Sequence, residues 1–263
     1  MVDPDFSEFQ FAYGMTRELD VGKWPLAPVG VPFFPTQRQE TDLGFDVGLR
    51  SGDGLWPLFI QYKRSKKLTT ARAIDEQWNT YQEPFFRFNV ETSDDPGNPD
   101  QHGQLVDLGK KFRHTYYVAP EFIAWSDYER NARRECLNEH AAFLRCGTAP
   151  TRFDSQTHYI CHRPQDSFGL FFSESPSDTE VEVFRRYDTL FESMQETGPA
   201  YESFQGLRGA FTEARTMIIE ERDLEIDPRE HTADEPMAWI REQQRFFYET
   251  LGTALSFLTN RAQ

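Results

Sequence analysis

Apolar side chains recur along this chain with two periods, and the changes from one to the other divide it into elements. Ser7 before Glu8-Phe9-Gln10 reads as an N-cap opening a helix, with Phe6, Phe9 and Tyr13 at helical spacing and an end near Asp20. Four prolines between Trp24 and Pro35 predict an extended connection. Over 43–49, Phe45, Val47 and Leu49 alternate with other residues, the period of a strand, and Ser51-Gly52-Asp53-Gly54 supplies a turn. With a return strand at 56–62, this predicts a hairpin carrying Asp46 on its first arm and Gln61 and Lys63 at the end of its second.

Further along, the pattern predicts a helix over 69–81, a strand over 85–90, a polar loop over 94–100, a helix over 101–111 and a strand over 115–119 closed by Pro120. After Ser126 it predicts a helix to about Leu144, strands at 157–161 and 168–172, and three helices at 178–196, 200–222 and 236–259. The last carries Met237, Ile240, Phe247, Leu251, Ala254 and Leu258 on one stripe behind Asp234 and Pro236. The expected fold is therefore α/β: a core over 1–125, and a mainly helical part over 126–263 that extends the sheet or forms a partner interface.

Composition agrees with a globular fold: of 263 residues, 38% are hydrophobic and 15% aromatic, enough for a sizeable core. The formal net charge of −15 argues against broad attraction to nucleic acid. It is unevenly spread, with 18 acidic and 13 basic residues in 1–125 against 25 and 15 in 126–263. Five of those 13 bases are Lys63, Arg64, Lys66, Lys67 and Arg72, a local basic patch that is the candidate nucleic-acid contact. Met1-Val2-Asp3-Pro4 has neither a basic nor an apolar leader region, and no window is apolar enough to span a bilayer, so the expectation is a cytoplasmic protein with no membrane contact. Cys136, Cys146 and Cys161 are an odd set without framework spacing and read as reduced thiols.

The chemistry concentrates on the hairpin. Metal-assisted phosphodiester cleavage needs hard oxygen ligands close together and a cation that orients water or balances phosphate charge. Gln61 and Lys63, two apart, point to one face of their strand, while Tyr62 points to the other. Glu40, six positions before Asp46, shares its face if that segment is extended, and Gly44 leaves room for a close backbone approach. Glu40-x-x-x-Gly44-Phe45-Asp46, 14 further residues and then Gln61-x-Lys63 resembles the signature of restriction-endonuclease-like, PD-(D/E)xK nucleases. The Gln-x-Lys form is similar to that of Mrr-type enzymes, and the longer string with Pro35-Thr36-Gln37-Arg38, Gln101-His102 and Tyr117-Val118-Ala119-Pro120 resembles a prokaryotic family of this type.

That resemblance implies a mixed central sheet flanked by helices and a Mg2+- or Mn2+-dependent endonuclease acting on DNA, with RNA left open, in a defence or restriction setting. It implies Asp46, Gln61, Lys63 and Glu40 as catalytic residues. Asp46, Gln61, Glu40 and Glu8 would then be the metal ligands, with Glu18 as the alternative from the first helix. A protein partner supplying specificity and a homodimer are both compatible with it. The sequence departs from the commonest pattern at Gln61, which offers a neutral oxygen where an acid is usual. The alternative is accordingly a nuclease-fold binding or assembly subunit without activity. Gln101 and His102, after a polar loop, are candidates for phosphate contact or general base, weighed against capping and surface roles. Cys136, His140, His158, Cys161 and His162 match no standard zinc spacing, and no nucleophile elbow, phosphate loop or dinucleotide glycine motif is present.

Overall fold

Ser7 opens the first helix, α1 (Glu8–Val21), through a reciprocal cap: its Oγ accepts from the Gln10 amide at 3.1 Å, and its own amide donates to Gln10 Oε1 at 2.8 Å. Phe11, Met15 and Leu19, four apart, form the buried stripe, whereas Phe9 and Tyr13 lie on the exposed side. The structure is a computed structural model that describes residues 1–22, 24, 26–28, 56–70, 76–90, 101–150, 157–172, 176–197, 204–221, 236–251 and 254–260. After α1 come β1 (Leu26–Pro28), β2 (Trp56–Tyr62), β3 (Lys66–Leu68), α2 (Glu76–Tyr81), β4 (Phe85–Val90), α3 (Gln101–Lys111) and β5 (Thr115–Pro120). The chain continues through α4 (Trp125–Arg133), a 3-10 turn at Leu137–His140, β6 (Ala141–Arg145), a second 3-10 turn at Cys146–Thr148, β7 (His158–His162) and β8 (Phe168–Phe172). Then follow β9 (Pro176–Arg185), α5 (Tyr187–Glu196), α6 (Phe204–Glu221), α7 (Pro236–Leu251) and β10 (Ala254–Asn260).

The strands join one mixed sheet in the order β1-β10-β2-β5-β6-β9-β8-β7-β4-β3. Strand β2 pairs parallel with β5 along Phe59–Tyr62 and antiparallel with β10 along Trp56–Ile60. The sheet curls about β9, whose earlier residues pair with β8 and whose last three pair with β6. The curl is tight enough for Phe88 of β4 to meet Tyr117 of β5 with ring centroids 5.5 Å apart, although four strands lie between them in the order. Only Lys63-Arg64-Ser65 separates β2 from β3, which lies at the far edge of the order, so this connector crosses the open side of the curl.

Side-chain alternation then divides the core. On the inner face Phe59, Tyr117, Phe88, Ile160 and Phe171 pack with Leu105 of α3, Phe211 of α6 and Phe247 of α7. On the outer face Leu58, Ile60, Tyr62, Tyr116 and Val118 pack with Phe11 and Met15 of α1 and with Tyr187 and Phe191 of α5. Each of these buried side chains contributes on the order of 2 kcal/mol by leaving water.

Several expectations change. The helix predicted over 126–144 ends at Arg133: Glu135 takes a positive φ of 54°, and Ala141–Arg145, buried at every position, is a strand. Buried on both faces, such a run carries no period with which to announce itself. The helix predicted over 178–196 begins only at Tyr187, because Val181 and Val183 alternate inward on β9. The stripe predicted as one helix over 236–259 breaks after Leu251, and 254–260 enters the sheet as β10. Residues 69–81 form a helix only over Glu76–Tyr81 among the described positions. The part expected to be mainly helical thus supplies five of the ten strands among the described residues. The hairpin's first arm, 43–49, lies outside the described residues, and along Trp56–Ile60 the antiparallel neighbour of β2 is β10.

Helix α3 is seated by two glycines in backbone contact: a Cβ on Gly109 would lie 2.5 Å from the Gly147 nitrogen, and one on Gly147 would lie 2.7 Å from the Gly109 oxygen. Gly147→Ala is expected to cost about 1–3 kcal/mol in urea unfolding, the range for overpacking a tight contact, and an unchanged midpoint would contradict this seating.

Candidate functional site

Strand alternation places Gln61 and Lys63 on the inner face, where Phe59 and Tyr117 already point. Tyr62 faces the other way, its hydroxyl 2.8 Å from Thr16 Oγ1 of α1. Lys63 is 8% exposed. Its amide donates to the Val118 oxygen at 2.9 Å, and its Nζ donates to Gln101 Oε1 at 3.4 Å and lies 5.8 Å from the centre of the Tyr117 ring. No carboxylate stands within ion-pair distance of that ammonium among the described residues. Gln61, also buried, is the register partner of Tyr117, and its Nε2 donates to the Tyr62 oxygen at 3.4 Å.

The first turn of α3 closes this end of the curl. His102 is fully buried, with Nδ1 2.9 Å from the Tyr117 hydroxyl and Nε2 2.9 Å from the Pro150 oxygen. Burial pushes its imidazolium down to about 4; the Pro150 bond works against this, and the charges of His158 and Lys63 add to it. His102 is therefore neutral at physiological pH and acts as an internal strut, not as a surface cap.

No family model, curated protein or solved structure matches the chain. What the site can do therefore rests on its own geometry. No helix among the described residues is long and apolar enough to cross a membrane.

Asp46, Glu40 and Arg72 lie outside the described residues. Glu8 is exposed in the first turn of α1, the helix that covers the outer face, so it is not brought together with Gln61 and Lys63. Glu18, the alternative, is buried, and its carboxylate accepts from the Leu137 amide at 2.6 Å, the Asn138 amide at 3.1 Å and Asn138 Nδ2 at 2.9 Å. It ties α1 to the 3-10 turn instead of facing the site. Among the described residues no group of three or more His, Cys, Asp or Glu side chains converges on a point. Gln61 alone, with one neutral oxygen, does not make a site for a hard divalent ion.

The predicted basic patch is divided. Lys63 turns inward, Lys66 pairs with Asp3 at 3.0 Å, Lys67 lies over the Phe86 ring at 5.3 Å, and Arg64 is exposed. The zinc candidates separate as well, because Cys161 points to the opposite face of β7 from His158 and His162 and donates to Gln77 Oε1 at 3.6 Å.

Sequence reading missed a second polar group at the same end of the inner face. Glu121, just past β5, accepts from Arg185 Nη2 at 3.0 Å and lies 3.4 Å from His162 Nδ1. Arg185 also donates to the main-chain oxygens of Arg163 and Asp166. Burial alone would raise the Glu121 carboxyl, but His162 and Arg185 outweigh it and hold the group below the usual carboxylate range. The contact to His162 is poorly directed, since neither ring nitrogen has a hydrogen bond of good geometry. The only sequence signal was parity: Glu121 is an even step from Tyr117, as Lys63 is from Gln61.

Proposed function

We propose that the inner-face end of β2 and the first turn of α3 form a phosphodiester site of the nuclease type, in which Lys63 holds a phosphate oxygen. The observation that carries this reading is the ammonium of Lys63, buried against a neutral amide and an aromatic ring with no carboxylate beside it among the described residues. Holding such a charge away from water carries a cost unless an anion accompanies it. A phosphate oxygen offsets that cost. The amides that open α3, whose first turn holds no acidic residue, favour the same charge. Gln61 beside it offers an amide that can meet a second oxygen.

A mixed sheet with a parallel β2–β5 pair and helices on both faces supports the restriction-endonuclease-like expectation. In this reading Asp46 and Glu40 supply the carboxylates, DNA is the substrate and Mg2+ or Mn2+ the ion. The test is incubation of supercoiled plasmid, and separately of an RNA transcript, with wild type, Lys63→Ala, Gln61→Ala and Asp46→Ala, in manganese, magnesium or chelator. Manganese-dependent nicking by wild type is expected, falling about a hundredfold in Lys63→Ala, as for loss of one preorganised charge. Identical patterns in every lane would sink the enzymatic reading. The neutral Gln61 favours a second reading, binding of a phosphodiester without cleavage. Salt-dependent retention of DNA by wild type, weakened in Lys63→Ala and without nicking, would identify it.

A further inference from the structure

We infer that His102 and Tyr117 are positioning residues for Lys63, acting as a one-way hydrogen-bond relay from the Pro150 carbonyl to the ring beneath the lysine. The inference rests on the reading of Lys63 as a phosphate ligand, and goes beyond it by assigning what holds the lysine in place.

The direction of the relay follows from the chemistry of its ends. A carbonyl oxygen only accepts, so Nε2 of His102 carries the hydrogen and donates to Pro150. A neutral imidazole has one hydrogen, so Nδ1 is bare and accepts from the Tyr117 hydroxyl. The tyrosine hydroxyl is thereby committed as a donor toward α3. Phe88 lies against its ring at 5.5 Å, and His102 is itself held by Phe171, stacked on it at 5.4 Å with 23° between planes. Gln101, the neighbour of His102, accepts from Lys63 Nζ, so consecutive residues of one helical turn hold the lysine and the ring beneath it. Lys63, the first residue past β2, is tied to the strand of Tyr117 by the bond from its amide to Val118. The ammonium is thus held by rigid elements on two sides, the preorganisation that a charge-stabilising site needs.

The test reads Lys63 itself. Wild type, Tyr117→Phe and the double variant Tyr117→Phe/His102→Leu are treated with limiting acetylating reagent, and Nζ modification is mapped by peptide mass for each of the six lysines. Tyr117→Phe keeps the ring but frees it from His102, and is expected to raise the Lys63 rate about threefold, the order of a weakened cation–π contact, while the other lysines hold within a factor of about two. The double variant also removes the Nδ1 acceptor that Tyr117→Phe alone leaves bare, loses the bond to the Pro150 oxygen, and retains the faster Lys63 with a thermal midpoint no lower than that of the single variant. It therefore decides the matter if the single variant folds poorly. An unchanged Lys63 rate, or an equal rise at every lysine, overturns the inference. Nicking by the same proteins separates the two readings: an inactive wild type together with selective release of Lys63 in Tyr117→Phe counts against the nuclease and supports the relay.

Discussion

Lowering the pH from 7.5 to 5 is expected to remove roughly 4 kcal/mol of unfolding free energy through His102 and His114, at about 2 kcal/mol each. Both are buried and held down to about 4 from 6.5: His102 by burial and the nearby charges of His158 and Lys63, His114 by burial and the guanidinium groups of Arg145 and Arg113. The folded-state value lies below the unfolded one, so between the two the unfolded chain binds more protons. The stabilising contribution is whole above 6.5 and is lost as pH falls towards 4. Glu18 acts in the opposite sense. Burial raises its carboxyl against the pull of its Asn138 and Leu137 bonds, so protonation favours the fold between that raised value and 4.5 and offsets part of the loss. Glu121, held low, begins to cost stability only below 4.5. Urea unfolding at pH 7.5, 6 and 5 measures the sum. A midpoint that stays flat over this range would mean that the two imidazoles are not buried as described.

Glu18→Ala is expected to destabilise the fold by roughly 3–5 kcal/mol, because it strands donors instead of merely losing a contact. The Glu18 carboxylate takes the amides of Leu137 and Asn138 and the Asn138 side chain. Asn138 Oδ1 in turn accepts from the Tyr187 amide at 3.2 Å, and Tyr187 Oη donates to the Met15 oxygen at 3.0 Å. One buried carboxylate therefore joins α1, the 3-10 turn before β6 and the start of α5. Glu18→Gln keeps one acceptor but sets an NH2 group against donors, and should fall between alanine and wild type. Equal midpoints for all three proteins in thermal unfolding would refute this accounting.

What could be read in the sequence was what local rules govern. The Ser7 cap, α3 from Gln101 to Lys111 and β8 from Phe168 to Phe172 stand where capping and period place them. The same face for Gln61 and Lys63 follows from strand parity alone. Elements decided by distant partners were misread: β6 is buried on every side, β9 turns on two valines, and β10 fits a helical stripe equally well until the neighbouring strands claim it. His102 shows the same limit within the site. The sequence placed it at a helix start beside a polar loop and favoured a surface role, yet the curl brings Tyr117 and Pro150 to it and buries it completely.

The place of β10 also bears on how the chain is made. Strands β1 and β2 each take β10 as a neighbour, so the middle of that sheet half waits for residues that leave the ribosome more than 190 positions after Trp56. Until they emerge, Trp56-Pro57-Leu58-Phe59-Ile60 is an apolar strand with an unfilled edge, the kind of template on which nascent chains pair with one another. Pro57, which has no amide hydrogen to offer, sits within that segment and interrupts the row of donors.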